Sequence, residues 1–148
     1  MSVRIIAALS LVLGSAPAAL AGPAADAVRY FYDNPGAELL EENRDRFTGA
    51  ARAVLDANDR MWAESEDVCI DFGITVDAQD FDEDEIARTL ALDERVAGDA
   101  AEVTARFSLF DEPRTIAWHL LQEGGAWKVA DIAGLDGEGW RMSEFDCE

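Results

Sequence analysis

His119 is the single histidine of the chain, and Asp131 lies on the strand expected to follow it. An imidazole titrates near neutral pH and can give or take a proton, and a nearby carboxylate can share that work. Strand alternation sets His119 beside Thr115, Ala117 and Leu121, opposite Ile116, Trp118 and Leu120. The same alternation groups Asp131 with Trp127 and Val129, or leaves it at a rim bonded to Arg106. Weighed against this acid–base pair is the plainer role of a surface or hydrogen-bonded strand histidine. Among the four tryptophans, Trp62, Trp118 and Trp127, with Arg106, are the candidates for binding a ligand; large aromatics are equally the usual filling of a small core. Asp77, Asp80 and Asp82, in a run rich in carboxylates, offer oxygens for a hard cation. An EF-hand loop needs glycine at its sixth position and an acid at its twelfth. From Asp77 those positions hold Asp82 and Arg88, and from Asp80 they hold Glu85 and Ala91, so a solvated acidic loop is the better reading. No nucleophile elbow and no glycine-rich phosphate loop occurs, and no cofactor is implied.

The N-terminus decides the compartment. Arg4, the apolar run Ile5–Leu13, the breakers Gly14 and Pro17, and Ala19-Leu20-Ala21 compose a signal peptide over residues 1–21, cut before Gly22. A membrane span needs about 20 apolar residues, and this run is shorter. The expected location is periplasmic or secreted. Without those residues, which carry one Arg and no acid, eleven basic residues face 31 acidic ones, a net charge of −20. Lys128 is the only lysine. Such a surface repels nucleic acid and anionic lipid, and it admits basic proteins or divalent cations. In an oxidising compartment Cys69 and Cys147 are expected to pair, closing a loop of roughly 80 residues and stabilising the fold by up to about 4 kcal/mol in the chain-entropy model. There is no C-x-x-C, and two cysteines with one histidine make a poor zinc site.

The elements that must position these residues follow from periodicity. Pro23 opens a helix whose stripe is Val28, Phe31 and Tyr32, and Asn34-Pro35-Gly36 ends it. Residues 37–45 form at most a short helix. Phe47, Ala51, Val54, Leu55, Met61 and Trp62 keep helical spacing to about residue 65. Residues 66–84 read as loop, residues 86–96 as a first strand. Strands follow over 101–110, 114–123 and 126–135, the last two joined at Gly124-Gly125. The tail from Gly137 is loop-rich, with Trp140, Met142 and Phe145 packing back. One α+β domain over residues 22–148 results, its N-terminal helices on an antiparallel sheet of about four strands.

The element order and the closing segment Gly125-Ala126-Trp127-Lys128-Val129-Ala130-Asp131-Ile132 resemble the nuclear-transport-factor-2-like (cystatin-like) superfamily. Ile70-Asp71-Phe72 and Ala78-Gln79-Asp80-Phe81-Asp82 resemble, more narrowly, an uncharacterised family of exported bacterial domains within it. The resemblance implies a cone-like fold with a curved sheet closed by helices around a cavity, and a loop braced by Gln79 and Asp80. It implies no activity, since that superfamily holds enzymes, binders and scaffolds alike. The expectation is therefore a non-catalytic binding module for a small apolar ligand or a protein partner, with no feature that sets an oligomeric state. The alternative is an isomerase- or dehydratase-like enzyme using Asp131 and His119, which requires both side chains to enter one cavity.

Overall fold

Helix α1 (Pro23–Asp33) starts on a proline, whose fixed φ suits the first helical turn, and buries Ala24, Ala25, Val28 and Phe31 on one face. Its N-terminus is held by another element: the Ala25 N–H donates to Glu94 Oε2 at 2.6 Å. A carboxylate there satisfies an unpaired amide and complements the helix dipole. The computed structural model describes residues 22–147; the expected signal peptide, residues 1–21, lies outside the described residues. After α1 the chain turns through Gly36, at φ +83°, into two short 3₁₀ turns at Ala37–Leu39 and Glu41–Arg46. Helix α2 (Gly49–Ser65) then buries Ala51, Val54, Leu55 and Asn58.

Helix α3 (Glu83–Thr89) was not expected. It occupies residues read as the end of an acidic loop and the start of a strand, and Asp82 caps it by accepting from the Glu85 N–H at 3.0 Å. Strand β1 (Ala91–Ala97) therefore begins later than the alternation suggested. Strands β2 (Ala100–Leu109), β3 (Glu112–Glu123), β4 (Ala126–Gly134) and β5 (Trp140–Arg141) complete an antiparallel meander in the order β1-β2-β3-β4-β5. Among the described residues the fold is α+β, with five strands where about four were expected; the fifth is a two-residue strand in the tail.

The sheet presents Val103, Ala105, Phe107 and Leu109 of β2, Ile116, Trp118 and Leu120 of β3, and Val129 and Ile132 of β4 to the helices. Phe31 stacks on Trp118 at 5.5 Å between centroids and tilts against Phe47 at 5.2 Å. Close-packed side chains thus fill the space between helices and sheet. The register of β3 with β4 steps between His119, paired with Asp131, and Leu120, paired with Val129. Ala130 is left over, a bulge that puts both Val129 and Ile132 into the core. Cys69 and Cys147 are bonded as expected, at a sequence separation of 78.

Candidate functional site

The segment read as an acidic loop has an apolar interior. Ile70, Ile74, Thr75 and Val76 are buried, and the chain closes on itself where the Gly73 N–H donates to the Ala78 carbonyl at 2.8 Å. A Cβ on Gly73 would lie 2.9 Å from Val76 Cγ2, so this turn requires glycine. Gln79 braces the loop by donating to the Asp71 carbonyl at 3.1 Å. The acids of this stretch do not converge: Asp77 accepts from Trp140 Nε1 at 2.6 Å, Asp82 caps α3, and Asp80 is exposed. Among the described residues no three His, Cys, Asp or Glu side chains are placed to hold a metal.

Between this loop, the end of α1, the turn at Ala37–Leu39 and α3 lies a cavity of about 350 Å³. That is near the lower end of the roughly 300–1,000 Å³ usual for small-ligand sites. Its walls are mostly apolar, including Phe31, Leu39, Ile70, Phe72, Phe81 and Ile86. Set among them are Tyr32, Glu38, Asp71, Thr75, Gln79 and Glu83.

Glu38 is the unusual member. It is 3% exposed, and its Oε2 has no hydrogen-bond partner. Burial pushes its carboxyl above the ordinary carboxylate range, partly offset by hydrogen bonds from the backbone at Glu38 and Gly36 and from Thr75. Burial likewise raises Tyr32, against a bond from Trp118, while the charge of Glu38 adds to the rise. Trp118 Nε1 donates to the Tyr32 hydroxyl at 3.3 Å, so the core tryptophan backs the cavity wall through this tyrosine and through Phe31, on which it stacks.

Neighbouring segments fix the wall. Asn43 Nδ2 donates to the Ala37 carbonyl at 3.0 Å, and Tyr30 Oη donates to Asn43 Oδ1 at 3.0 Å. Arg44 Nη1 reaches the Glu38 carbonyl at 3.4 Å. On the opposite wall Asn58 Oδ1 accepts from the Cys69 and Ile70 amides at 3.1 and 3.0 Å. Helix α3 is anchored through Glu85, whose carboxylate accepts from the Phe110 and Asp111 amides at 2.6 and 2.9 Å. Those two residues turn β2 into β3 with positive φ, which leaves their amides pointing at one acceptor.

The residues expected to form a site lie elsewhere. His119 and Asp131 are cross-strand neighbours, but on the face of the sheet turned away from the helices. His119 is half-exposed with Nε2 3.6 Å from Glu102 Oε2. The bulge at Ala130 breaks the alternation that would group Asp131 with Val129. Asp131 binds Arg141 at 3.2 Å, not Arg106, and accepts from the Ser143 amide and hydroxyl at 3.0 and 2.7 Å. It thereby ties the tail to β4. Trp62 is 58% exposed on α2, Trp118 is core, Trp127 is half-buried and Arg106 is exposed; none lines the cavity. Sequence reasoning missed Glu38 and Thr75, and read Tyr32 only as stripe. The one signal for Glu38 is an acid set between Ala37 and the pair Leu39-Leu40 just after a helix-ending turn.

A wider charged groove runs past Arg44 and Arg52, and its three aspartates are engaged: Arg44 pairs with Asp59 at 2.5 Å and Asp56 at 3.4 Å, and Arg52 with Asp45 at 3.2 Å and Asp56 at 3.4 Å. No described helix is long and apolar enough to cross a membrane.

A scan against protein-family models finds no match, and no curated protein matches the sequence. Solved structures do match. A chain in the crystal structure of the type VI effector–immunity complex Tae3–Tai3 from Ralstonia pickettii, native form, aligns with a TM-score of 0.54 and 19% identity, over 80% of this chain and 98% of that one. The selenomethionine form gives 0.51 and 21%, over 75% and 94%. At these identities the likeness is one of fold, and it extends over nearly the whole of each matched chain.

Proposed function

We propose that this chain is an exported, non-catalytic interaction module whose partner is a basic protein. One observation carries the reading: Leu39 and Phe81, exposed at 43% and 40%, stand at the wall of a cavity on a chain otherwise dominated by carboxylates. Apolar anchors beside a pocket, surrounded by charge of one sign, are the ingredients of a protein-binding centre with electrostatic steering. That both matched chains come from two-protein complexes supports the same reading. The paired Cys69 and Cys147 support export, and helices followed by a strand meander support placing the chain in the nuclear-transport-factor-2-like superfamily. The acid–base alternative finds no support in the geometry, since His119 and Asp131 face away from the cavity and Asp131 is already bonded.

Photo-cross-linking tests this. A photoreactive amino acid at the exposed Leu40, next in sequence to the cavity-lining Leu39, should trap one dominant partner richer in Lys and Arg than in acids when irradiated in the exporting cell. The same group at Val96, exposed on the far edge strand, should not. Adding salt to extracts should weaken the capture, because exposed charges are screened over about 8 Å at physiological ionic strength and less beyond it. Equal capture from both positions, or none from Leu40, would sink the proposal.

A further inference from the structure

The wall of the cavity is one-sided in charge. Among the described residues its ionisable side chains are Tyr32, Glu38, Asp71 and Glu83, and none of its lining is lysine, arginine or histidine. Glu38 is the deepest puzzle among them, a buried carboxyl with one oxygen left without a donor. Buried polar groups in folded proteins are nearly always paired, so an orphan carboxyl oxygen on a residue that lines a cavity points to a donor that arrives from outside. Leu39, Phe72 and Phe81 line the same cavity and would suit an apolar stem. A lysine or arginine side chain combines a methylene stem with a charged donor end, and it makes strong charge-assisted bonds to carboxylate.

We infer that the cavity receives the end of a lysine or arginine side chain from the partner protein, its stem against Leu39, Phe72 and Phe81 and its cation on the Glu38 carboxyl, which turns Oε2 out of its sealed position to meet it. This rests on the reading that the partner is a basic protein. Thr75 and Tyr32 interact with Glu38, the other polar groups of the cavity wall are Asp71, Gln79 and Glu83, and Arg44 is held on the Glu38 carbonyl. None of them supplies a cation to Oε2. Specificity follows from the orphan oxygen: a neutral stem fills the apolar walls and leaves Oε2 unpaired, whereas an ammonium or guanidinium satisfies it.

The test uses capped tripeptides, alanine on either side of lysine or of norleucine, titrated into the exported protein while NMR follows the Tyr32, Thr75 and Ile86 amides. The lysine peptide should bind at least about tenfold more tightly, a difference of about 1.4 kcal/mol. Glu38→Gln, nearly isosteric, should remove most of that preference while leaving norleucine binding in place. Should that variant not fold, the unmodified protein still decides: the preference should decline as pH falls through the raised range of Glu38, because the protonated carboxyl loses its charge. Equal affinity for the two peptides at every pH would overturn the inference, and with the Leu40 cross-link intact it would leave the interaction module standing. Butylammonium binding as tightly as the lysine peptide would also overturn it, in favour of a free amine. A lysine preference without any cross-linked partner would count against the protein source.

Discussion

Burial raises the Glu38 carboxyl because ions are poorly solvated among Phe31, Leu39 and Ile86, and the bonds from the backbone and Thr75 offset this only in part. A carboxyl whose folded pKa lies above its unfolded one binds more protons in the folded state between the two values. Stability then falls as pH rises from the ordinary glutamate range through the raised one, and it levels off above that. Glu38→Gln removes the titration. It should raise the melting temperature at neutral pH and give no gain in acid, where the native group is already neutral; calorimetry of both proteins at pH 3 and pH 7.5 checks this. An unchanged difference across that range would mean Glu38 does not titrate as its burial requires. Only its setting between Ala37 and the pair Leu39-Leu40, after a helix-ending turn, singled this group out in the sequence. Carboxylates are common in this chain, and what distinguishes Glu38 is a left-handed turn at Gly36 that places it inward. Conversely, His119 drew attention by being unique, and Asp131 by lying across from it. The pairing was legible, yet the face was not, because one extra residue at Ala130 reverses the alternation on which the assignment depended.

Among the elements, α3 shows how a short helix hides. Ile86, Leu90 and Leu92 fit helical spacing in their first pair and strand alternation throughout, so periodicity alone chose the strand. End signals were the better guide: Asp82 at the cap, Glu83, Asp84 and Glu85 in the first turn and Arg88 in the last all favour a helix. The longer elements were readable, since α1, α2 and the three central strands each repeat their pattern over several turns or pairs. The loop after α2 was not, because the acids on its outside mask Ile70, Ile74 and Val76 within. Helix α3 supplies Glu83 and Ile86 to the cavity and is held at its start by the cap and by Glu85 on the β2–β3 turn, and at its end by Thr89, which accepts from the Ser108 amide of β2. Asp82→Ala should cost about 1 kcal/mol, a usual value for a lost N-cap. Denaturant unfolding reads that loss. Hydrogen exchange should show it concentrated at residues 83–90, with β2 and β3 unchanged; a uniform loss over the whole sheet would contradict the local role.

At the scale of the molecule, the Cys69–Cys147 bond bears on the cavity. Its expectation came from compartment and number, since a sequence separation of 78 carries no geometric hint of contact. The structure gives the bond a consequence. Cys147 ends a tail in which Trp140 and Phe145 pack at 5.6 Å, Phe72 packs on Trp140 at 5.1 Å, and Trp140 holds Asp77. Phe72 is at once part of that cluster and part of the cavity wall, and Ile70 follows Cys69 directly. Reduction removes the covalent tie between tail and loop, leaving Asn58 to hold the loop and the aromatic contacts, the Trp140–Asp77 bond and the bonds from Asp131 to hold the tail. In the chain-entropy model a loop of this length is worth up to about 4 kcal/mol, which for a domain this size lowers the melting temperature by on the order of 10 °C. The double variant Cys69→Ser, Cys147→Ser should reproduce the fall seen with reductant, and reductant should add nothing to it. Loosening Phe72 and Ile70 should also weaken the lysine peptide more than the fall in folded fraction explains, measured well below the new melting temperature. Affinity that survives reduction while stability drops would separate the bond from the site, leaving it a staple for a small acidic domain whose like charges oppose compaction.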